Sequence, residues 1–221
     1  MPEPSRAPLV LIVDDEPTFR GAVSSLLRSV GYRVDHFATT QELVESRMAG
    51  EANCLILDVR LPMVSGLDFQ ARLAEAGAHP PIIFVTGHGD IPMTVRAMKA
   101  GAVDFLSKPF RDQDLLDAAA AAVVRDGERR RADESKGRIR SCYASLSPRE
   151  REIMTLATAG LMNKQIAGDL GLSEITVKIH RGRLMKKMGA RTFADLVKMA
   201  EVLDLGGAAG TDKTRAPSSP A

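Results

Sequence analysis

Short apolar runs alternate with amphipathic segments along the first 125 residues, and this alternation is the strongest constraint on the fold. Leu9–Val13 carries no polar residue, which is typical of a strand buried on both faces of a sheet. Repeated strand–helix units favour a doubly wound α/β fold, a parallel sheet with helices on both faces. The five strands are predicted at Leu9–Val13, Arg33–Phe37, Cys54–Leu57, Ile82–Thr86 and Val103–Leu106.

The composition changes after a last, alanine-rich helix that is predicted over 111–125. Residues 126–145 are rich in charged side chains and poor in large apolar ones, which favours a solvated linker. The alternative is a continuation of the preceding helix into a dimerising stalk. Gly127 and Gly137 disfavour this alternative, because glycine weakens the interior of a helix.

Residues 146–205 carry four short helical patterns and no strand pattern, so a small all-α domain is predicted there. Ser147 and Glu150 have the spacing of a capping box at the start of its first helix. Asn163 is expected to cap the next helix. The last residues, 206–221, are rich in Gly, Ala, Ser and Pro and are expected to be disordered. The predicted organisation is thus a first domain over 7–125, a linker over 126–145, a second domain over 146–205 and a tail.

Charge is distributed unevenly along the chain. Residues 1–125 carry 12 Lys/Arg and 16 Asp/Glu, a net −4, whereas residues 126–221 carry 18 and 12, a net +6. This asymmetry indicates two domains, of which the second faces a polyanion. The two cysteines have no metal-ligand spacing, and no apolar run is long enough for a signal peptide or a membrane span. We therefore expect a cytoplasmic protein with free thiols and no membrane partner.

Polar residues follow the predicted strands at the ends where parallel sheets bind ligands. They are Asp14 and Asp15 after the first strand, then Asp58, Thr86 and Lys108. Crowded carboxylates repel one another and need a cation, and Mg²⁺ prefers oxygen ligands of this kind. A carboxylate such as Asp58 could attack a phosphoryl group, while Lys108 and Thr86 contact its oxygens. The pattern therefore predicts phosphoryl transfer with Mg²⁺.

The segments LVLIVDDEP, LILDVRLPMVSGLDF and FVTGHGDIPMTVRAMKAGAVDFLSKPF, in this order, resemble a receiver domain of the CheY-like superfamily over about residues 7–125. The resemblance implies the strand order 2-1-3-4-5. It implies that Asp58 accepts phosphate from the phosphohistidine of a sensor histidine kinase. Asp15, Asp58 and the Arg60 backbone carbonyl would hold Mg²⁺, with Asp14 acting through water.

The same resemblance implies a switch at the end of the sheet. Phe105 would turn inward when Thr86 moves toward the phosphoryl group, and phosphorylation would favour a homodimer. Lys108-Pro109 would be a cis peptide bond. Arg60 and His88, two residues after Asp58 and Thr86, would flank the path of an attacking water.

A basic helix is predicted after Ser173, up to about Met188. Its apolar residues recur at helical spacing and face a small core, and Gly171 supplies the turn before it. This arrangement predicts a helix-turn-helix whose second helix enters the major groove of double-stranded promoter DNA, with salt-dependent affinity. The basic residues are Lys178, Arg181, Arg183, Lys186 and Lys187, against Glu174 alone.

The segment LSPREREIMTLATAGLMNKQIAGDLGLSEITVKIHRGRLMKKMGARTFADLVKMA resembles a LuxR-type helix-turn-helix domain, and the whole chain is similar to the FixJ branch of response regulators. The resemblance implies that Lys178, Ile179 and Gly182 face base edges. Gly182 departs from a longer polar residue at that position, which shifts base reading toward Arg181 or Arg183. Thr176 and Lys186 would contact phosphates, and a final helix over about 192–203 would pair two protomers on a two-fold site.

Two other classes of protein share parts of this pattern. Mg²⁺-dependent phosphatases carry their nucleophilic Asp in a DxD pattern after the first strand, whereas Asp14 and Asp15 are adjacent here and Asp58 stands alone. A pure phosphorelay module has no use for a groove-reading helix. The sequence therefore predicts a phosphorylation-dependent transcriptional regulator rather than an enzyme, with chemistry limited to its own phosphorylation and dephosphorylation. RNA polymerase is a further partner to expect.

Overall fold

A parallel sheet forms the centre of the first part of the computed structural model, which describes residues 7–87 and 91–205. Its strands are β1 (Leu9–Val13), β2 (Arg33–Phe37), β3 (Cys54–Asp58), β4 (Ile82–Thr86) and β5 (Asp104–Ser107). They pair in the order β2-β1-β3-β4-β5, all parallel. Strand β2, which carries charged and polar residues, lies at one edge of the sheet. The doubly wound fold and its strand order are therefore confirmed.

Helices cover both faces of this sheet because neighbouring residues of each buried strand point to opposite faces. Leu11 and Phe84 belong to one apolar core, which also contains Phe69. Ile12 and Leu115 belong to the other. The helices of this part are α1 (Pro17–Ser29), α2 (Thr40–Ser46), α3 (Gly66–Glu75), α4 (Ile91–Lys99) and α5 (Asp112–Ala144), with a 3-10 turn at Met48–Gly50.

Helix α5 is longer than the sequence suggested. The helix predicted over 111–125 continues to Ala144, so the segment expected to be a solvated linker is helical through that residue. Asp126 explains the continuation, because its buried carboxylate accepts hydrogen bonds from Arg129, Arg130 and Asn53. The ion pairs of Asp126 with Arg129 (i,i+3) and Arg130 (i,i+4) stabilise the helical turn that contains Gly127.

Over residues 146–205 the structure contains helices and no strand, as predicted for a small all-α domain. The two compact units of the chain divide between Arg130 and Arg131. Apolar residues of every helix in the second unit, including Ile139 in the last turns of α5, pack into one core. Residues 206–221, expected to be disordered, lie outside the described residues. The helices are α6 (Pro148–Thr158), α7 (Asn163–Leu170), α8 (Glu174–Met188) and α9 (Phe193–Val202).

The ends of these helices show how the sequence specifies them. Ser147 and Glu150 form the predicted capping box at the start of α6. The prediction that Asn163 caps α7 is wrong. Asn163 is the first residue of that helix, and its side chain accepts a hydrogen bond from Arg181. Gly171 ends α7 in the left-handed conformation at φ 64°. None of the helices in the described part of the chain is both long enough and apolar enough to cross a membrane.

Candidate functional site

The ends of the parallel strands bring polar side chains to one edge of the sheet. Asp14 follows β1 and Asp58 is the last residue of β3. Thr86 ends β4, and its carbonyl accepts a 2.8 Å hydrogen bond from the backbone N–H of Lys108. Carboxylate oxygens of Asp14, Asp15 and Asp58 lie within 4.8 Å of one another. All five residues that the strand pattern singled out thus meet at this edge, which we call the acidic pocket.

Lys108 joins the two buried carboxylates of the acidic pocket. Its Nζ lies 2.6 Å from Asp14 Oδ2 and 3.1 Å from Asp58 Oδ2. Burial raises the pKa of the Asp14 carboxyl above its ordinary value, although the hydrogen bond from Lys108 acts against this rise. Burial acts to lower the pKa of Lys108, but its hydrogen bonds to both carboxylates outweigh burial and raise it. The exposed carboxylate of Asp15 lies beside them. The acidic pocket therefore brings three carboxylates to the ammonium group of Lys108.

The structure also describes two further predicted residues, Arg60 at the acidic pocket and Phe105 on β5. The backbone N–H of Arg60 donates a 2.8 Å hydrogen bond to Asp58 Oδ1, and the residue itself is exposed. Phe105 is half-buried on β5, with its ring centroid 6.5 Å from that of Phe84. His88 lies outside the described residues.

Gly66 is a residue of this site that sequence reasoning missed. It is the first residue of α3, and its N–H donates to the carbonyl of Val59. A Cβ on Gly66 would overlap the backbone carbonyl oxygen of Asp58. The sequence shows only a glycine next to the capping Ser65 at the start of a helix, and this does not reveal which backbone atom passes beside it.

Phe19 was missed as well. Its ring centroid lies 3.7 Å from Lys108 Nζ, so the ammonium group contacts the face of the ring. In the sequence Phe19 reads as an ordinary apolar residue of α1. Only the folded structure brings it to Lys108, 89 residues later by the numbering.

A second site lies on α8, the later helix of the α7–turn–α8 arrangement. Ser173 caps this helix by accepting a hydrogen bond from the N–H of Thr176. Val177 and Leu184 are buried in the core. The opposite face of α8 is exposed and basic, which suits contact with a polyanion. The exposed residues of α8 are Glu174, Ile175, Lys178, Ile179, Gly182, Arg183, Lys186 and Lys187.

Two predicted DNA-contacting residues already have partners within this unit. Arg181 Nη1 lies 2.6 Å from Asn163 Oδ1, and its guanidinium lies 5.1 Å from the centre of the Phe193 ring. The Thr176 hydroxyl shares a 2.8 Å hydrogen bond with that of Ser173. Arg181 therefore links α8 to the starts of α7 and α9, and a base contact would require it to leave both partners.

Two families of known proteins match the chain. The response regulator receiver domain family matches residues 10–120, the part that carries the acidic pocket. The family of bacterial regulatory proteins named luxR matches residues 144–200, which include α6, α7 and α8. The two matches fall on the two candidate sites.

Relatives align with almost the whole chain. Nodulation protein W of Bradyrhizobium diazoefficiens is 55% identical over 203 residues, which cover 92% of this chain and 89% of that protein. Transcriptional regulatory protein FixJ of Azorhizobium caulinodans is 38% identical, over 86% of this chain and 90% of its own. The solved structure of response regulator StyR is similar with a TM-score of 0.76 at 45% identity, covering 89% of this chain and 99% of StyR. The chain belongs to the FixJ-type response regulators of two-component systems, in which a receiver domain is joined to a LuxR-type DNA-binding domain.

Proposed function

We propose that Asp58 is the phosphoryl acceptor of this regulator and that its phosphorylation controls promoter binding by α8. The observation that carries the proposal is the convergence of Asp14, Asp15, Asp58 and Lys108 at one sheet edge. An oxygen of Asp58 forms the new bond to phosphorus, and the bond from phosphorus to the histidine nitrogen of a sensor kinase breaks. Lys108 and Thr86 contact the phosphoryl oxygens during this step.

The acidic pocket suits Mg²⁺, because oxygens of three carboxylates lie close enough together to share a cation, although Lys108 already contacts two of them. Asp15, Asp58 and the backbone carbonyl of Arg60 would hold the ion, and Asp14 would act through water. When bound, Mg²⁺ would neutralise charge that develops on the phosphoryl oxygens. Asp58 is held for attack by the N–H of Arg60, and Lys108 supplies the positive charge that the chain itself brings.

Intact-mass spectrometry with acetyl phosphate and Mg²⁺ tests the chemistry. The wild-type chain should gain one phosphoryl group, and Asp58→Asn should gain none. Asp68→Asn, at the first turn of α3, is the matched control and should be phosphorylated like the wild type. Phosphorylation of Asp58→Asn to the wild-type extent would contradict the assignment.

We further propose that α8 reads base edges through Lys178, Ile179 and Gly182, with Arg183 as the long polar side chain beside the glycine. The exposure of these residues on one side of the helix supports this assignment. Lys186 and Thr176 are assigned to phosphates. Because Arg181 is bound to Asn163, we assign it first to the orientation of α8 and only then to DNA.

Matched lysine variants test the interface. Lys178→Ala should weaken binding to a selected duplex by about 1–3 kcal/mol and relax its sequence preference. Lys99→Ala removes the same charge from an exposed position of α4 in the first unit and should change affinity by less than about threefold at matched salt. Equal losses in both variants would reduce the role of Lys178 to charge alone.

Phosphorylation is proposed to move Thr86 and Phe105 and so to favour a homodimer, which would bind a two-fold promoter site and contact RNA polymerase in the cytoplasm. Sedimentation velocity of the full chain, with and without acetyl phosphate, tests the dimer. The sedimentation coefficient should rise only with the phosphoryl donor and only when Asp58 is present. A monomer under both conditions would rule the dimer out.

A further inference from the structure

Lys108 has a third partner besides the two carboxylates. Its ammonium nitrogen lies over the face of Phe19, 3.7 Å from the ring centroid. That distance is well inside the roughly 6 Å range over which the negative face of an aromatic ring attracts a cation. The Lys108 side chain is only 19% exposed, so water screens this attraction weakly. Asp14 and Asp58 contact the ammonium as hydrogen-bond acceptors, and Phe19 contacts it through its ring face.

The fold fixes the position of the Phe19 ring. It sits in the first turn of α1, on the face that packs against the sheet core. Phe110 meets it edge to face, with centroids 6.0 Å apart and ring planes at 86°. A cavity of about 590 Å³ borders Phe19, Lys108 and Phe110. A smaller side chain at position 19 would therefore leave Lys108 room to move away from the carboxylates.

We propose that Phe19 is a positioning residue for phosphorylation: its ring face holds the Lys108 ammonium where the transferred phosphoryl oxygens will lie. The proposal rests on the proposed function of Asp58. Phe19 makes and breaks no bond in the transfer. Its effect is to keep a positive charge in place before negative charge shifts onto the phosphoryl group, so that the charge need not be recruited during the step.

The expected size of the effect follows from the strength of such contacts. A cation–π contact contributes about 0.5 kcal/mol at exposed sites and about 2 kcal/mol when it is desolvated, which corresponds to about two- to thirtyfold in a rate. Phe19→Leu should therefore slow phosphorylation by acetyl phosphate at saturating Mg²⁺ by about three- to tenfold. Phe19→Trp, which presents a more electron-rich face, should retain most of the wild-type rate.

Fluorinated phenylalanines at position 19 separate this role from simple packing, because fluorine weakens the negative ring face while the ring keeps nearly the same shape. We expect the logarithm of the phosphorylation rate to fall steadily from one to three to five fluorines, with an unchanged thermal midpoint. Phe37→Leu, a similar loss of ring volume on β2, should leave the rate within about twofold. A rate that does not change with fluorination would overturn the proposal.

NMR of the full, unphosphorylated chain gives a second readout that needs no reaction. The ring current of Phe19 should shift the ε-methylene protons of Lys108 upfield, and Phe19→Leu should remove this shift. Unshifted protons in the wild type would overturn the contact. The two failures are distinguishable: a wild type that acetyl phosphate does not phosphorylate refutes the function of Asp58, and the positioning role with it. A phosphorylated wild type with an equally fast Phe19→Leu refutes the role of Phe19 alone.

Discussion

Asp14, Asp126 and Glu150 are almost completely buried, and each has hydrogen-bond donors that compensate for the water lost on burial. Asp14 depends on Lys108 and the N–H of Glu16. Arginine side chains surround Asp126. Glu150 accepts hydrogen bonds from Lys187 Nζ and from the N–H of the residue that starts its own capping box. Removing a hydrogen-bond donor should therefore lower the stability of the fold more at these positions than at exposed ion pairs.

Glu150 should make the second unit sensitive to acid. The hydrogen bond from Lys187 holds the pKa of Glu150 below its ordinary value. Because the folded pKa is the lower one, the ionised group stabilises the fold above the ordinary glutamate pKa, and this contribution is lost as pH falls through the folded value. Glu150→Gln should lower the stability of this unit by about 2 kcal/mol near neutral pH, and by less in acid below the ordinary glutamate pKa.

Hydrogen exchange of α6 amides in urea, on the full chain at both pH values, measures this difference. Glu152→Gln is the control, because Glu152 is 51% exposed and its pair with Arg149 lies at the surface. The control should change stability by less than about 0.5 kcal/mol. A Glu150→Gln effect of equal size at both pH values would contradict the role of the ionised carboxylate.

Lys108 should compete with Mg²⁺ for the acidic pocket. It neutralises part of the charge of Asp14 and Asp58, so its removal leaves the carboxylates more attractive to a divalent cation. Lys108→Met should bind Mg²⁺ about tenfold more tightly in calorimetric titration while phosphorylation slows. Lys99→Met, at the end of α4, should bind Mg²⁺ like the wild type. Weaker Mg²⁺ binding by Lys108→Met would contradict this competition.

The residues of the acidic pocket could be predicted because each follows a strand and needs only the strand order to meet the others. Gly66 and Phe19 could not be predicted in this way. Gly66 matters because of one backbone carbonyl that passes beside it, and Phe19 because of the exact angle at which α1 packs. Both depend on tertiary packing, which local sequence patterns do not encode.

At the scale of elements, the turn from β3 to α3 carries Asp58, and Gly66 fixes its path. Gly66→Ala should force the Asp58 backbone to move, which should destabilise the first unit by about 1–3 kcal/mol and slow phosphorylation. Gly21→Ala is the control, because its Cβ would point into open space on α1. That variant should stabilise the helix by about 0.5–1 kcal/mol. Thermal unfolding and the rate of phosphorylation are measured for both variants. Wild-type stability and rate in Gly66→Ala would contradict the close approach of the Asp58 carbonyl to position 66.

Helix α5 should depend on Asp126 at the point where the sequence predicted its end. Besides its two arginine partners, Asp126 binds Asn53, and Arg130 donates to the carbonyls of Glu51 and Ala52. Asp126→Ala removes the buried acceptor that Asn53, Arg129 and Arg130 share and should lower stability by about 3 kcal/mol. Amide exchange of residues 120–130 should accelerate accordingly. Glu128→Gln, exposed on the same helix, is the control, and similar exchange in both variants would contradict the anchor.

Elements with strong local patterns could be predicted almost to the residue, as β1 and α8 show. Helix α5 could not, because its continuation relies on a carboxylate whose partner Asn53 lies 73 residues away. The cap predicted at Asn163 was wrong because this side chain, too, has a partner that is distant in sequence. Its actual partner, Arg181, comes from another helix, and no sequence signal joins the two.

At the scale of the molecule, the two units carry different candidate sites, as the acidic first part and the basic second part of the sequence suggested. The acidic first unit holds the carboxylates that suit a cation, and the basic second unit carries the exposed face of α8. The family to which the chain belongs joins these two functions in one protein. The central claim is therefore that phosphorylation of Asp58 changes the affinity of α8 for DNA.

Fluorescence anisotropy with a duplex selected from a random library tests this claim most directly, in the presence of Mg²⁺ and with or without acetyl phosphate. Acetyl phosphate should tighten binding by the wild type and leave Asp58→Asn unchanged. If wild type and Asp58→Asn bind equally well under both conditions, phosphorylation of Asp58 does not control DNA affinity and the central claim is contradicted.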